Sequence, residues 1–242
     1  MENTIAKRAA VIGASSGIGR ATTELLAGQG YSVLAVGRDA AKLRDLSESL
    51  AAGGSEVTVR QADAASSAIA RVLEEFAPIS HLVLTLSSSH GGGPLATLDL
   101  AELRAGFDGK FWPHVATLRA ALPFLSRGGS VTFVTACSAG ASLPGTAGLA
   151  AINGALEAMV PVLAVELAPT RVNAVSPGVI DTAWWATFPE DVRAQAFRDY
   201  AQAAPAGRIG QAAEVAEAIR FVLESAFVTG SVLSIDGGLR LA

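Results

Sequence analysis

The fold follows from the stretch Gly13-Ala-Ser-Ser-Gly17-Ile-Gly19, which lies between an apolar run at 8–12 and a helical pattern at 17–29. Glycines at this spacing let the chain turn sharply from a strand into a helix and bring its backbone close to a ligand. The free N–H groups at the start of the helix then favour an anion such as a pyrophosphate. The residues predicted to bind it are Gly13, Ser15, Ser16, Gly17, Ile18 and Gly19.

Short apolar runs alternate with longer helical patterns along the whole chain. The predicted strands are 8–12, 32–36, 56–60, 81–86, 130–135, 171–176 and 231–235, and the predicted helices are 17–29, 40–50, 65–76, 100–125, 148–167 and 212–224. Most of the strands are apolar throughout, which is typical of a parallel sheet covered by helices on both faces. The alternation predicts an α/β fold, a doubly wound parallel sheet of about seven strands, in a single domain that spans 1–242.

Composition and charge exclude several classes of protein. A net charge of −4 gives no basic surface for nucleic acid. The single cysteine, Cys137, rules out an internal disulfide and is typical of a reducing cytoplasm. No apolar run reaches the roughly 18–20 residues that a bilayer requires, so we expect a cytoplasmic protein without a membrane partner. The sequence predicts no metal site, and a 50% hydrophobic content indicates a large core and buried subunit contacts.

The end of the second predicted strand indicates which dinucleotide the chain prefers. A protein that binds NAD carries an Asp or Glu there for the ribose 2′-hydroxyl, whereas this chain has Gly37 and Arg38. A guanidinium suits a 2′-phosphate by charge and by its fork of donors, so the sequence predicts NADP(H), with NAD less suited. The alternative is a surface Arg38 that pairs with Asp39. Asp63, after the third strand, either accepts a bond from the adenine amino group or caps its own loop.

Several motifs in the same order resemble those of the short-chain dehydrogenase/reductase family over essentially the whole chain. Besides the glycine turn, they are Leu156-Glu-Ala-Met, Leu163-Ala-Val-Glu-Leu-Ala-Pro169, Arg171-Val-Asn-Ala-Val-Ser-Pro-Gly178, Arg208-Ile-Gly-Gln-Ala-Ala-Glu214-Val-Ala216, Thr229-Gly230 and Ile235-Asp-Gly-Gly238. The resemblance implies a Rossmann fold, a nicotinamide cofactor, and homodimers or homotetramers built on the fourth and fifth helices and the last strand. It also implies that the nicotinamide lies against Pro177, Gly178, Ile180 and Thr182.

The resemblance fails at the residues that move protons. Members of the family use a Tyr acid, a Lys four residues later that lowers the pKa of the Tyr, a Ser on the preceding strand and an Asn on the fourth helix. Here Leu149 and Asn153 occupy the Tyr and Lys positions. The Ser position falls on Cys137 or Ser138, and the Asn position falls on Lys110. Because leucine cannot exchange a proton, the sequence predicts an atypical active site.

Three residues could supply part of the missing chemistry. Pro113 cannot bond the carbonyl of Gly109, so we expect the helix to kink beside Lys110, whose ammonium could polarise a substrate oxygen. Alternatively, Lys110 is a solvated or interface side chain. Cys137 is a nucleophile if its pKa is depressed and an inert buried thiol otherwise. His90, in a Gly-rich loop, is either a proton donor or a loop residue without a role.

Two irregular segments, 87–98 and 181–205, follow the carboxyl ends of strands, where open α/β sheets bind ligands. We expect 181–205 to be a helical segment that covers the substrate, with Trp184, Trp185 and Phe188 either walling an apolar pocket or packing that segment onto the body. The predicted function is an NADP(H)-binding oxidoreductase that acts on a small apolar carbonyl or related substrate. The alternatives are a catalytically silent NADP(H)-binding sensor or partner subunit, and a non-redox enzyme that reuses the pocket.

Overall fold

Strands rich in Val, Ile, Leu and Ala form the centre of this computed structural model, which describes residues 7–242. All the strands that the structure describes, in chain order, are β1 (Arg8–Ile12), β2 (Ser32–Gly37), β3 (Val57–Gln61), β4 (Ile79–Leu84), β5 (Leu125–Val134), β6 (Arg171–Pro177), β7 (Ile180–Asp181), β8 (Gly210–Gln211) and β9 (Val232–Ile235). Seven of them pair in parallel in the order β3-β2-β1-β4-β5-β6-β9. The predicted doubly wound sheet is therefore confirmed. The order reverses between β1 and β4, which is where such sheets bind ligands.

Helices follow the strands as the sequence predicts. They are α1 (Gly17–Gly28), α2 (Ala40–Ala52), α3 (Ala68–Glu75), α4 (Leu100–Gly106), α5 (Trp112–Ala121), α6 (Ala147–Glu166), α7 (Glu190–Ala203) and α8 (Ala212–Glu224). The apolar faces of α1, α2 and α8 form one core with the sheet, and those of α3, α5 and α6 form a second core on the opposite face. Because both faces of the sheet are covered, the central strands β1, β2 and β4 are buried along nearly their whole length, whereas the edge strand β3 still has exposed positions.

The predicted helix 100–125 is not continuous. It is divided into α4, a π-helical turn at Phe107–Phe111 and α5. The interruption lies beside Pro113, as we expected, because a proline has no N–H with which to continue the regular ladder. The helix also ends earlier than predicted, at a 3₁₀ turn over Leu122–Phe124, and β5 begins directly after that turn.

α6 is the one described helix that is long and apolar enough to cross a membrane by length and composition. It is not an uninterrupted apolar run, because Asn153 and Glu157 lie within it, so the expectation from the sequence is not contradicted. In this structure α6 packs on the sheet, with Leu156 and Val160 fully buried in the second core, while the buried Ile152 lines the cavity described below. The same face carries Asn153 toward the cavity described below.

The sequence analysis missed a two-stranded sheet in which β7 pairs with β8, Ile180 opposite Gly210 and Asp181 opposite Gln211. Two-residue strands are too short to show a periodic pattern. This small sheet fixes the start of the segment 181–205, which is helical as predicted: a 3₁₀ turn at Ala183–Thr187 leads into α7.

Candidate functional site

A cavity of about 760 Å³ opens at the carboxyl ends of the central strands. All the cofactor residues predicted from the sequence line it, although they come from four different parts of the chain: Gly13, Ser15, Ser16, Gly17, Ile18, Gly19, Arg38, Asp63, Pro177, Gly178, Ile180 and Thr182. The candidate catalytic residues Lys110, Cys137 and Ser138 line it as well, and so do Leu149 and Asn153, the residues at the Tyr and Lys positions of the family. The structure thus brings both sets together, and their individual roles stay predictions.

The glycine turn leaves the first turn of α1 open to the cavity. Gly13 and Gly17 have φ of +96° and +53°, values that favour glycine. Ser16, at the N-cap of α1, makes no side-chain bond to the first N–H groups, and the first turn contains no acidic residue. Those N–H groups are therefore available to an anion, which fits a dinucleotide pyrophosphate.

Arg38 faces the cavity without pairing to Asp39. The Asp39 carboxylate instead accepts bonds from the N–H groups of Ala41 and Lys42 at the start of α2, and it lies 3.7 Å from the Lys42 ammonium. Within residues 7–242 Arg38 forms no ion pair, so the surface-pair alternative is wrong. A Cβ at Gly37 would lie 3.0 Å from the Cβ of Ser15, which shows how closely Ser15 approaches this end of β2.

Both interpretations of Asp63 are compatible with its position. Its carboxylate accepts a bond from the N–H of Ala65 at 2.9 Å, and its backbone carbonyl accepts one from the Ser66 hydroxyl at 2.8 Å. Asp63 therefore caps its turn, as one alternative proposed. It also lines the cavity, so that contact with an adenine amino group stays a prediction.

Lys110 is buried in the cavity wall, with 8% of its surface exposed. Its ammonium donates to the backbone carbonyl of Thr135 at 3.1 Å. Burial lowers the pKa of Lys110 to about 8, and the charge of Glu157 opposes this shift. His114 supports the π-helical turn, because its Nδ1 lies 2.8 Å from the carbonyl oxygen of Lys110 and its Nε2 lies 3.2 Å from that of Leu84. The solvated or interface alternative for Lys110 is therefore wrong.

Ser138, rather than Cys137, is connected to α6. The amide nitrogen of Asn153 donates to Ser138 Oγ at 3.2 Å and to the carbonyl of Leu149 at 2.9 Å. Because a carbonyl only accepts, the second bond fixes which end of the amide is nitrogen. Burial raises the pKa of Cys137 to about 11, so the condition for a nucleophilic thiol is not met and the inert-thiol interpretation fits.

A carboxylate behind Lys110 was missed in the sequence. Glu157 Oε1 accepts bonds from the Thr135 hydroxyl at 2.7 Å and from the Ser176 hydroxyl at 2.8 Å, so it joins the ends of β5 and β6. The sequence feature that could have identified Glu157 is its position four residues after Asn153, because this spacing places both side chains on one face of α6.

The roof of the cavity joins the two irregular segments. The indole N–H of Trp184 donates to the carbonyl of Ser88 at 3.1 Å, and that of Trp185 donates to the carbonyl of Ile180 at 3.1 Å. Both indoles line the cavity and pack against each other, with ring centroids 4.9 Å apart. Phe188 packs against them without lining the cavity. The two indoles therefore line the pocket and also attach the segment 181–205 to the rest of the molecule.

His90 lines the cavity and contacts an acidic side chain at an exposed position. Its Nδ1 lies 2.7 Å from a carboxylate oxygen of Glu102, and both side chains are about half exposed. A proton donor at this place would be screened by water. Within residues 7–242, no group of three His, Cys, Asp or Glu side chains could hold a metal ion.

Comparison with known proteins supports the family resemblance that the sequence motifs indicated. Residues 13–240 match the family described as enoyl-(acyl carrier protein) reductase. The cis-4-hydroxycyclohexanecarboxylate dehydrogenase of Sinomonas cyclohexanicum is 32% identical over 250 residues, which cover 98% of each chain. The 3-oxoacyl-[acyl-carrier-protein] reductase of Rattus norvegicus is 31% identical over 97% of this chain and 98% of its own. A crystal structure of a small-chain dehydrogenase in complex with NADPH superposes with a TM-score of 0.82 over 98% of this chain and 100% of that chain, at 28% identity.

Proposed function

Because the chain belongs to the short-chain dehydrogenase/reductase family, we propose that it is an oxidoreductase that uses NADP(H) and transfers hydride to or from a small apolar carbonyl compound or a related substrate. The observation that carries this proposal is the buried ammonium of Lys110, which lies on the wall of the same cavity as the glycine turn. The cavity thus combines a dinucleotide site with one cation that could act on a substrate oxygen.

In this proposal the cofactor is held along the whole cavity. The N–H groups at the start of α1 bind the pyrophosphate, and Arg38 with Ser15 binds the 2′-phosphate. Asp63 meets the adenine. The nicotinamide lies against Pro177, Gly178, Ile180 and Thr182. The absence of an acidic side chain at the end of β2 supports NADP(H) over NAD.

The chain's own residues would orient and polarise the substrate. The chemistry that bound NADPH supplies is hydride transfer at its nicotinamide. Lys110 donates a hydrogen bond to the substrate oxygen and then a proton, which its pKa of about 8 allows near neutral pH. The Ser138 hydroxyl accepts a bond from Asn153, so its own proton is free to orient the same oxygen. Leu149 supplies only apolar surface, and this favours an apolar substrate.

We also propose that the segment 181–205 covers the substrate. The bond from Trp184 to Ser88 supports this role because it connects the segment to the loop on the opposite side of the cavity. Water excluded by such a cover strengthens the interaction between an ammonium and a substrate oxygen. The size of the apolar wall is set by the two indoles, Leu149 and Ile152.

One observation favours a second candidate, a catalytically silent NADP(H)-binding protein. The helix position that would face the substrate carries Leu149, which cannot exchange a proton. A sensor or partner subunit needs only the cofactor half of the cavity. A non-redox enzyme would reuse the pocket without needing the cofactor half.

Binding and turnover measured on the same protein separate these functions. We expect NADPH to quench intrinsic fluorescence on binding, and to be oxidised with members of a panel of ketones, enones and cyclic imines. Lys110→Met should bind NADPH as the unchanged protein does and lose turnover by about 10²–10⁴-fold. Lys7→Met is the matched control, since Lys7 is exposed and far from the cavity lining.

The outcomes are distinct. NADPH binding without turnover of any substrate would support the silent protein. Turnover that is unaffected by Lys110→Met would overturn the role of Lys110 and leave the oxidoreductase. Failure to bind either nicotinamide dinucleotide would contradict both functions.

We further propose a cytoplasmic homodimer or homotetramer. Val162 and Val165 on α6 and Phe227 before β9 are exposed apolar side chains, with exposed fractions of 54%, 79% and 103%. α6 corresponds to the fifth helix predicted from the sequence, and Phe227 lies near the last strand. The family resemblance implies that both elements form subunit contacts. Light scattering coupled to size exclusion would give a mass near 24.6 kDa if the proposal is wrong, and two or four times that mass if it is right.

A further inference from the structure

Lys110 is a buried cation whose direct partner is neutral. Its Nζ donates to the backbone carbonyl of Thr135, and within residues 7–242 it forms no ion pair with a carboxylate. Removing an ammonium from water without a compensating charge is costly, and such a group tends to lose its proton instead. The side chain therefore needs an anion nearby if it is to act as a cation on the substrate.

The hydrogen bonds of Thr135 lead to such an anion. Its carbonyl accepts from Lys110, while its hydroxyl donates to Glu157 Oε1 at 2.7 Å. The same oxygen accepts from the Ser176 hydroxyl at 2.8 Å. Thr135 and Ser176 are themselves buried, so two fixed hydroxyl donors hold the carboxylate at the ends of β5 and β6.

We propose that Glu157 is a positioning residue for the reaction: held by Thr135 and Ser176, it is the counter-charge that keeps Lys110 cationic on the wall of the cavity. This inference rests on the proposed function, in which Lys110 donates to the substrate oxygen. Glu157 does not line the cavity, so it acts through Lys110 and not by touching substrate or cofactor.

The other titratable groups near Lys110 do not supply this charge. On adjoining elements these other groups are His90, Asp108, His114 and Cys137. Burial and the charge of Lys110 lower the pKa of His114 to about 3, so its ring is neutral. The Cys137 thiol is neutral too, and His90 is already paired with an exposed carboxylate. Asp108 is exposed to solvent, where its charge is screened. Glu157 is the one charge that raises the pKa of Lys110.

The chain contains only three lysines, so the protonation of Lys110 can be followed directly. NMR of protein labelled with ¹³C at lysine Cε should show one resonance that disappears in Lys110→Met and titrates near pH 8. In Glu157→Gln we expect this titration to move down by about one pH unit, which is the order of magnitude expected when one nearby charge is removed at an effective dielectric constant of about 20. Glu166→Gln, the same change at an exposed position of α6, should leave it unmoved.

The pH dependence of turnover gives a second readout. Activity should fall above about pH 8 in the unchanged protein, since Lys110 then loses its proton, and the fall should begin about one unit lower in Glu157→Gln. The KM for NADPH should stay the same. A merely structural role of Glu157 would lower kcat at every pH without moving the profile.

A Lys110 titration that is identical in Glu157→Gln and the unchanged protein would overturn the inference. A shifted titration in a protein without turnover would instead contradict the proposed function and leave the charge coupling in place. If Glu157→Gln does not fold, the double variant Lys110→Met/Glu157→Gln decides. Coupled charges predict that removing the buried ammonium as well restores folding, and a double variant that also fails to fold would refute the coupling.

Discussion

Replacing Gly19 by alanine tests whether the turn before α1 is the nucleotide site. A Cβ at Gly19 would lie 2.2 Å from the carbonyl oxygen of Gly13 and 2.5 Å from the hydroxyl oxygen of Thr85. Neither atom is the end of a long flexible side chain. The turn and the first residues of α1 must therefore separate by about 1 Å to restore ordinary contact distances.

The cost follows from two opposing terms. Overpacking of this kind costs about 1–3 kcal/mol, while alanine returns up to about 1 kcal/mol of helix propensity. We expect a net loss of about 1–2 kcal/mol in the free energy of unfolding, from the difference between these terms. Hydrogen bonds from N–H groups to a charged phosphate contribute about 1.5–3 kcal/mol each, so misaligning one of them weakens NADPH binding by roughly 10–100-fold.

Gly28→Ala in the same helix is the matched control. No atom lies within 4 Å of a Cβ built at Gly28, which is exposed at the end of α1. This variant should gain at most about 1 kcal/mol of stability and bind NADPH as before. Urea unfolding and NADPH fluorescence titration measure both quantities on the same preparations. Wild-type affinity in Gly19→Ala, or an equal loss of affinity in Gly28→Ala, would refute the assignment of the turn.

Three further predictions concern other parts of the molecule. Arg38→Ala should weaken NADPH binding by about 10–100-fold and leave NADH binding unchanged, because it removes a charged donor to the 2′-phosphate; equal effects on both dinucleotides would contradict this. Trp184→Phe removes the hydrogen bond to the carbonyl of Ser88, which is worth about 0.5–1.5 kcal/mol. The KM of the organic substrate should therefore rise several-fold while NADPH affinity is unchanged. An unchanged KM would contradict the role of Trp184 in covering the substrate. Burial and the nearby Arg171 lower the pKa of His81 to about 4, whereas the unfolded chain takes up this proton near pH 6.5. The contribution of neutral His81 to the free energy of unfolding is therefore complete above pH 6.5, and it falls by about 1.4 kcal/mol per pH unit down to pH 4. Urea unfolding measured across this pH range should show that slope in the unchanged protein and lack it in His81→Gln.

The dinucleotide half of the site was predictable because each of its parts is local in the chain. A glycine turn needs only neighbouring residues to form, and the absence of an acidic residue beside Arg38 can be read at the end of one strand. Whether Arg38 is free was decided elsewhere, since Asp39 is occupied by capping α2. The kink beside Lys110 was also predictable, because Pro113 breaks the ladder whatever the surroundings.

The burial of Lys110 and its connection to Glu157 could not be predicted. Lys110 lies on a π-helical turn, Thr135 at the end of β5 and Glu157 on α6, so their contacts depend on how three separate elements pack. The pairing of β7 with β8 and the bond from Trp184 to Ser88 are of the same kind. None of these contacts leaves a periodic signal in the sequence.

By itself the sequence determined the doubly wound sheet and the glycine turn before α1, since backbone conformation is a property of short stretches, and it predicted that Leu149 and Asn153 stand where the family resemblance expects Tyr and Lys. Only the tertiary structure decided that Lys110 is withdrawn from water, that its pKa falls and that Glu157 lies behind it. The physical reason is that desolvation and the interaction of charges depend on distances between elements, which are set when the helices pack on the sheet.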